Sequence, residues 1–329
     1  MKSWIFKGFG ALLLTAGLIA CAPKQAVVVN ASDSPLLDSS GKEYYMITFL
    51  SGIEYWKGCF AGFEKAAALH GAKVVYTGST DQNATSEVAV FEQVVAKNPA
   101  GIAVTCINPD SFTDAINAAV AKGIPVVTFD SDSPVSSRYT YLGTGNENAG
   151  AQAAAHMAEI LGHKGEVAVV YLTGLLNQEQ RSAGFKNYIE TYEKNMKVVQ
   201  MVDGGHDQTS SSTAAAAVLQ ANPNLAGFFA TEASFGVGVA NAVEESGKKG
   251  VVKVISFDTD DGTLEGIRNG SIAASIAQGT KQMGFWAFEM LYLTDKAVVI
   301  DDYSKGLAPL PANVDTGVSV VTKDNVEAF

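Results

Sequence analysis

Ten side chains of this sequence follow the ends of strand-like segments, and their types suit the binding of a molecule rich in hydroxyl groups. The ten are Tyr55, Trp56, Asn108, Asp130, Asp132, Arg181, His206, Glu232, Asp258 and Gln278. Carboxylates accept hydrogen bonds from hydroxyl groups, amides both donate and accept, and a guanidinium group donates without accepting. An aromatic ring can cover the C–H face of a sugar. The set therefore predicts a cleft for a neutral polyhydroxylated ring.

Tyr55 and Trp56 are neighbours at the start of a predicted helix over residues 56–68. Adjacent side chains on a helix point about 100° apart, so that the core readily takes one of the two rings but not both. We expect Trp56, together with Tyr55, to face a ligand. The alternative is that one of the two rings belongs to the core.

Several of the polar residues have a structural alternative. Asp130 and Asp258 could each cap a helix, and Asn108 could do no more than shape the Asn-Pro turn. Glu232 could be an acid that is favoured by the positive end of a helix dipole. Arg181 lies near a predicted helix start, where the dipole disfavours a cation, and ligand contact is its better explanation.

The chain alternates strand-like and helical segments, which determines where these residues lie. Alternation of this kind predicts an α/β fold, with helices on both faces of a parallel sheet. Ligands bind such sheets outside the carboxyl ends of the strands. A pause near Gly143–Asn146 divides the series, which predicts two similar lobes with sheets of about five or six strands. The predicted strands are YYMITFL, KVVYTG, GIAVTCI, PVVTFD, YTYLGT, EVAVVYL, KVVQMVD, LAGFFAT, VVKVISFD and SIAASIAQ.

The first 42 residues predict a secreted, lipid-anchored protein. Residues 1–20 combine two lysines, a short apolar run and small residues, which is typical of a secretory signal. Leu-Ile-Ala-Cys at its end resembles the bacterial lipobox, which predicts lipidation at Cys21. The alternative is an ordinary signal with an incidental cysteine. Residues 21–42 have the composition of a flexible tether. We expect an extracytoplasmic protein that is anchored to the bacterial membrane by lipid alone.

Charge and motifs exclude several function classes. The formal net charge of −11 argues against a nucleic-acid partner. The four histidines lack metal-ligand spacing, and the sequence has no Walker A motif or Gly-x-Ser-x-Gly elbow. We therefore expect no metal, no cofactor and no enzymatic activity. Cys59 and Cys106 either pair in the oxidising compartment or remain buried thiols, and the sequence leaves both open.

Seven segments in order resemble the ribose-binding branch of the type I periplasmic sugar-binding proteins of ABC importers. The resemblance runs from about Tyr45 to Asn325 and is much more specific for the family than for the ligand. The segments are YWKGCFAGFEKAAALHGAKV, AVTCINPDSFTDAINAAVAKGIPVVTFDSD, YLGTGNENAG, RSAGF, FFATEASFGVGVANAV, VISFDTDDGTLEGIRNGSIAASIAQGTKQMG and TGVSVVTKDN.

The resemblance implies a role for most of the ten residues. Tyr55 and Trp56 sandwich the sugar ring, Asn108 contacts a hydroxyl group and Asp130 accepts two hydroxyl hydrogen bonds. Arg181 contacts the ring oxygen or an anomeric hydroxyl, and Asp258 and Gln278 complete the shell.

Three departures from the family pattern leave the sugar open among pentose, hexose, polyol and sugar acid. Ser131, followed by Asp132, stands where a basic residue is often found. Glu232-Ala233 replaces the usual Asn-Asp pair, and the third aromatic of the sandwich falls near His206.

The resemblance also implies a division into lobes and a mechanism. The first lobe is predicted over 43–145 plus 279–308, and the second over 146–278 plus 309–329. Crossings are expected near Gly145-Asn146, near Gln278-Gly279 and between Leu307 and Thr316. Closure about this hinge captures the sugar from both sides.

A monomer that captures a monosaccharide or polyol and delivers it to an ABC permease is the leading hypothesis. A sensory protein that presents its ligand to a chemoreceptor or sensor kinase is the alternative. A regulator of the lactose-repressor type is excluded by the lipobox and by the lack of an N-terminal helix-turn-helix.

Overall fold

The computed structural model describes residues 39–296 and 310–329. The predicted signal, the lipidation at Cys21 and the tether as far as residue 38 lie outside the described residues. So does the part of the third crossing that was predicted before residue 310.

The described residues form twelve strands, which include all ten of the predicted ones. These are β1 (Glu43–Thr48), β2 (Lys73–Gly78), β3 (Gly101–Val104), β4 (Val126–Phe129), β5 (Tyr141–Gly143), β6 (Gly165–Tyr171), β7 (Met196–Asp203), β8 (Leu225–Ala230), β9 (Lys253–Phe257), β10 (Ala274–Gln278), β11 (Asn313–Asp315) and β12 (Val318–Val321).

Nine α-helices lie in the same part of the chain, followed by a short 3-10 helix, Val326–Ala328. The α-helices are α1 (Glu54–Leu69), α2 (Ala84–Val95), α3 (Pro109–Ala121), α4 (Asn146–Leu161), α5 (Leu176–Tyr192), α6 (Gln208–Ala221), α7 (Ala233–Glu245), α8 (Asp261–Asn269) and α9 (Thr280–Asp295). Within these ranges, no helix is long and apolar enough to cross a membrane.

The strands form two six-stranded sheets with equivalent orders, which confirms the predicted two-lobe α/β fold. The first sheet has the order β11-β5-β4-β3-β1-β2, and the second has the order β12-β10-β9-β8-β6-β7. The first ten strands pair in parallel. The two edge strands differ, because β11 runs parallel to β5 whereas β12 runs antiparallel to β10.

One predicted lobe boundary is wrong by a few residues. The prediction assigned residues 309–329 to the second lobe, but Asn313–Asp315 pairs with β5 in the first sheet. The chain joins the second sheet only at Val318, which pairs with Gln278. The strand register therefore places the third crossing at Thr316-Gly317, between the two edge strands.

Helices cover both faces of each sheet, as the continuous apolar strands require. In the first lobe, α1 and α9 pack on one face around Phe63 and Phe288, and α2 and α3 pack on the other around Phe91 and Phe112. In the second lobe, α4 and α5 cover one face, and α6, α7 and α8 cover the other.

In each lobe, glycine lets one pair of helices approach closely. A Cβ added at Gly284 of α9 would lie 1.7 Å from the carbonyl oxygen of Cys59 in α1. A Cβ added at Gly150 of α4 would lie 1.9 Å from the carbonyl oxygen of Arg181 in α5. The second contact fixes the backbone of Arg181, which is one of the predicted site residues.

Both cysteines in the described residues, Cys59 and Cys106, are buried free thiols. They belong to different apolar clusters, on opposite faces of the first sheet. Of the two alternatives that the sequence left open, the structure shows unpaired thiols.

Candidate functional site

The carboxyl ends of the strands from both lobes meet around one cavity of about 290 Å³. Residues of both lobes line it, because the two sheets present equivalent strand ends to each other. Eight of the ten predicted site residues lie in its wall: Tyr55, Trp56, Asp130, Arg181, His206, Glu232, Asp258 and Gln278.

The structure does not bring the other two predicted residues to this cavity. Asn108 caps α3, where its side chain accepts a hydrogen bond from the Ser111 N–H at 3.0 Å. This is the turn-shaping role that the sequence left as an alternative. Asp132 pairs with the Arg138 guanidinium through contacts of 2.5 and 2.6 Å, beside a neighbouring cavity of about 630 Å³ that shares Asp130 and Asn177 with the first. Local partners therefore occupy both side chains.

The aromatic wall of the cavity is continuous with the core of the first lobe. Trp56 is only 2% exposed, and its ring packs edge-on against Phe49 and Phe129. Its indole N–H is buried and has no hydrogen-bond partner among the described residues. Tyr55 is half-buried, and its hydroxyl donates to Asp130 Oδ1 at 2.6 Å. Trp56 therefore lies deeper in the core than the sequence predicted, and Tyr55 and Phe49 supply more of the wall.

Asp130 and Asp258 occupy equivalent places in the two lobes. Each follows the corresponding strand, β4 or β9, and each has a left-handed backbone, with φ of 59° and 64°. Each backbone N–H donates to the neighbouring strand, to Leu142 in the first lobe and to Ile276 in the second. Neither is the N-cap of a helix, since β4 is followed by a loop and α8 is capped by Asp260. The capping alternative is thus not realised.

Burial raises the pKa of both carboxyl groups. Hydrogen bonds from Tyr55 and Ser131 partly offset this for Asp130. Burial raises the pKa of Asp258 to about 7, although Arg181 and Gln278 oppose the shift. Hydrogen-bond donors on a ligand would stabilise the ionised form of both groups.

Arg181 is buried in the floor of the cavity and is held by neutral acceptors. Its guanidinium donates to Asn146 Oδ1 at 2.9 Å, to the Thr231 carbonyl at 3.0 Å and to Gln278 Oε1 at 2.9 Å. It also lies 3.8 Å from the ring centroid of Phe257. Because these partners carry no charge, its positive charge remains available to the acids of the cavity and to a ligand.

Glu232 lies at the start of α7, yet its side chain makes no capping hydrogen bond. Instead, its carboxylate accepts from Gln178 Nε2 at 2.7 Å and from the Ser234 hydroxyl. The Gln178 amide is itself oriented, since its Oε1 accepts from Thr231 at 2.7 Å. Burial raises the pKa of Glu232. This carboxylate is therefore a fixed acceptor in the cavity wall.

Gln278 and His206 complete the predicted set. Gln278 Nε2 donates to Asp258 Oδ1 at 2.8 Å, while its Oε1 accepts from Arg181. His206 is exposed at the rim of the cavity. The site thus joins a fixed polar floor to a partly aromatic wall.

Eleven other residues that line the cavity lie outside the predicted set of ten. Most of them also follow strand ends, so that the same rule, applied more widely, would have found them. The eleven are Phe49, Leu50, Ile53, Gln82, Leu172, Leu175, Asn177, Gln178, Ala233, Ser234 and Asp260.

The described residues hold no group of three or more His, Cys, Asp or Glu side chains that could bind a metal ion. What the cavity offers is a set of carboxylate acceptors, two oriented amides and one guanidinium beside aromatic rings. This arrangement is suited to binding hydroxyl groups. A volume of about 290 Å³ is at the small end of ligand sites and suits a single sugar ring.

Comparison with known proteins places these features in a family. The periplasmic binding protein domain matches residues 44–295. The ribose import binding protein RbsB of Bacillus subtilis is 27% identical over 229 residues, which cover 69% of this chain and 73% of the relative. The relatives found are sugar-binding proteins and not enzymes, which confirms the expectation that this chain has no enzymatic activity.

Two solved structures are more similar still. A sugar-binding protein of a sugar ABC transporter from Bacillus halodurans is 44% identical, with a TM-score of 0.85 over 88% of this chain and 100% of that one. The arabinose-binding protein AraP from Geobacillus stearothermophilus is 46% identical, with a TM-score of 0.82 over 88% of this chain and 99% of that one.

Proposed function

We propose that this chain, which belongs to the periplasmic binding protein family, captures one molecule of arabinose between its two lobes and delivers it to an ABC permease. The observation that carries the proposal is the cavity of about 290 Å³, which both lobes line with oriented polar groups at the carboxyl ends of their strands. Family membership supports a location outside the cytoplasm.

The polar groups match the needs of a neutral sugar. Asp130 and Asp258, which lie on opposite lobes, accept hydrogen bonds from hydroxyl groups of the sugar, and Glu232 accepts at a third place in the wall. Arg181 donates to the ring oxygen or to a hydroxyl group, and Tyr55 covers a C–H face of the ring. A sugar acid would bring a further negative charge to a cavity that holds one arginine and several buried acids, and we therefore favour neutral ligands.

The choice of a pentose rests on similarity. AraP, at 46% identity, is described as an arabinose-binding protein. A solute-binding protein from Burkholderia graminis that is 30% identical was solved in complex with D-arabinose. We propose arabinose for this chain on that basis, with related pentoses as weaker ligands.

Capture requires the lobes to move apart and together, and one hydrogen bond between them beside the cavity would break when they part. Asn177 Nδ2 of the second lobe donates to Ser131 Oγ of the first lobe at 3.4 Å. This bond spans the gap beside the cavity, and closure about the three crossings would form it. The loaded, closed protein would then offer its partner a surface that the open form lacks.

Calorimetric titration with L-arabinose and D-arabinose tests the ligand. We expect saturable binding of one sugar per chain, in the micromolar range or tighter, for at least one enantiomer. Sugars with a carboxylate, such as galacturonate, should bind much more weakly. Tighter binding of galacturonate than of either arabinose would overturn the assignment of a neutral ligand.

We further propose that the protein is a monomer anchored to the membrane by lipid at Cys21. The anchor is supported by the Leu-Ile-Ala-Cys sequence at the end of the apolar signal. Cell fractionation of Cys21→Ser tests the anchor, with Cys59→Ser as the matched control. Loss of membrane association in the first variant alone is expected, and a membrane-bound Cys21→Ser protein would contradict the proposal.

A second candidate function is sensing, in which the loaded protein binds a sensor in place of a permease. The observation that favours it is the solved complex of XylFII with LytSN, in which XylFII is 31% identical to this chain. Deletion of the gene distinguishes the two functions. Loss of arabinose uptake, with normal arabinose-dependent transcription, supports delivery, and the opposite pattern supports sensing.

A further inference from the structure

The three chain crossings between the lobes lie side by side, and one carboxylate joins two of them. Asp315, the last residue of β11, accepts the Gly145 N–H at 2.9 Å through Oδ1. The same oxygen accepts the Gly317 N–H at 2.8 Å. Gly145 opens the first crossing, between β5 and α4, and Gly317 lies in the third, between β11 and β12. Asp315 thus bridges two of the three segments that must bend when the lobes move.

Close packing supports this bridge. A Cβ added at Gly145 would lie 2.4 Å from Asp315 Oδ2, so that the carboxylate reaches the backbone only because residue 145 is glycine. The two crossings also share a backbone bond, since the Thr316 N–H donates to the Gly143 carbonyl at 2.8 Å. The first and third crossings therefore form one hydrogen-bonded unit.

The first crossing is also tied to the sugar site through the second. Thr144 Oγ1 donates to Gln278 Oε1 at 2.7 Å, at the end of β10 where the second crossing begins. Gln278 Oε1 also accepts from Arg181, so that two donors fix the orientation of this amide. Its Nε2 then donates to Asp258. A continuous chain of hydrogen bonds leads from Asp258 to the residue beside Gly145.

We propose that Asp315 is a positioning residue for sugar capture. By holding the first and third crossings together, it favours the arrangement in which both lobes line the cavity. This inference rests on the proposed function only in so far as capture requires closure. Apparent affinity falls with the fraction of molecules that are competent to bind, and loss of the bridge therefore weakens binding without removing any contact to the sugar.

Three variants of the full chain test the proposal. Asp315→Ala removes the acceptor, Asp315→Asn keeps a neutral one, and Asp324→Ala is the control. Asp324 is an exposed acid in the same terminal segment whose carboxylate does not join the crossings. The readouts are amide hydrogen exchange at Gly145 and Gly317, small-angle scattering without sugar, and calorimetric titration with arabinose.

In Asp315→Ala, we expect exchange at both glycines to accelerate about tenfold and the radius of gyration to increase. Arabinose affinity should fall about five- to tenfold, a modest effect because the carboxylate is exposed. Asp315→Asn should restore most of the affinity, and Asp324→Ala should match the wild type. A merely structural role would lower the unfolding temperature of Asp315→Ala without changing the sugar-free scattering curve.

Unchanged exchange and unchanged scattering in Asp315→Ala would overturn the proposal, even if affinity fell. If the wild-type protein binds no arabinose, the proposed ligand is wrong, but exchange and scattering of the sugar-free protein still decide the role of Asp315. If Asp315→Ala does not fold, the same two readouts on Asp315→Asn decide it, with an intermediate acceleration of exchange expected.

Discussion

The two lobes repeat one sheet order, and in each an aspartate follows the equivalent strand with a left-handed backbone. They differ in what holds that aspartate. Asp130 of the first lobe accepts from two hydroxyl groups of its own lobe, those of Tyr55 and Ser131. Asp258 of the second lobe accepts from the amide of Gln278, at a crossing between the lobes.

The two lobes share one fold but contribute differently to the site. The first lobe supplies an aromatic wall that is continuous with its own core. The second lobe supplies Arg181 and a hydrogen-bond network that reaches the hinge. Substitutions in the core behind the aromatic wall of the first lobe should therefore act mainly on stability, and substitutions in the network of the second lobe should act mainly on binding.

Trp56→Ala should give the largest effect on the first lobe. Truncation of a buried tryptophan costs about 3–5 kcal/mol of folding free energy, because it leaves a cavity among Phe49, Tyr55 and Phe129. Denaturant unfolding of the sugar-free variant measures this loss. Arabinose affinity of the folded fraction should fall less than tenfold. A stable variant with a 100-fold loss of affinity would show that Trp56 belongs to the site and not to the core.

Arg181→Lys should give the largest effect on binding. A lysine ammonium cannot reproduce the three directed hydrogen bonds of the guanidinium, and we expect affinity to fall by about 100-fold or more. Arg138→Lys is the matched control in the first lobe, since Arg138 is also buried but pairs with Asp132 away from the cavity. The control should lose stability and keep its affinity. Equal losses of affinity in both variants would contradict the proposed difference between the lobes.

Glu87→Gln should stabilise the first lobe in a pH-dependent way. Glu87 lies four residues after the N-cap of α2, where the equivalent residue of α6 in the second lobe is Ser211. Its carboxyl is fully buried, with one oxygen that has no hydrogen-bond partner among the described residues. Burial raises its pKa from an ordinary value of 4.5 to about 8.

The raised pKa of Glu87 determines how the stability of the protein changes with pH. Between about pH 4.5 and 8, the unfolded chain has released the proton that the folded chain still holds, so that stability falls as the pH rises. Glu87→Gln removes this penalty and should raise the free energy of unfolding by roughly 2–3 kcal/mol at pH 8, with little gain at pH 5. Thermal unfolding at both pH values measures it, with Ser211→Ala as a control whose change in stability relative to the wild type should be the same at both pH values. A gain of equal size at both pH values would contradict the account.

Asp258→Asn should abolish a pH dependence of binding that Asp130→Asn retains. Sugar hydroxyl groups donate to an ionised carboxylate, and burial raises the pKa of Asp258 to about 7. Below pH 7, protonation of Asp258 competes with sugar binding. The wild-type affinity should therefore decrease as the pH falls, by at most about tenfold per pH unit. Calorimetric titration from pH 5 to 8 measures the slope. A wild-type affinity that does not change over this range would mean that Asp258 does not accept from the sugar in its ionised form.

Much of this fold could be predicted because its strands are easily recognised in the sequence. Continuous runs such as GIAV and VAVV predict strands that are buried on both faces, and turn residues separate them clearly. Parallel strands bring their carboxyl ends to one edge of a sheet. Residues far apart in the chain could therefore be assigned to one cavity before the geometry of the lobes was known. The edge strands β11 and β12 were missed because their residues are mostly partly or fully exposed, so that they lack the continuous apolar run that marks the equally short β3 and β4.

Two predicted site residues lie outside the cavity because a residue close by in the chain occupies the side chain. Asn108 has the chemistry of a ligand contact, but its side-chain Oδ1 accepts from the Ser111 N–H and caps α3. Asp132 follows the same strand end as Asp130, yet Arg138, six residues later, pairs with it. For Tyr55 and Trp56, the spacing indicates that one ring leaves the core. Which of them does so depends on the angle at which α1 begins, and sequence spacing does not give that angle.

Calorimetric titration of the wild-type protein with arabinose tests the central claim most directly. We expect one sugar per chain for at least one enantiomer, an affinity in the micromolar range or tighter, and a negative heat-capacity change as the lobes bury the ring. Absence of binding by both enantiomers at millimolar concentration, in protein that thermal unfolding shows to be folded, would contradict it.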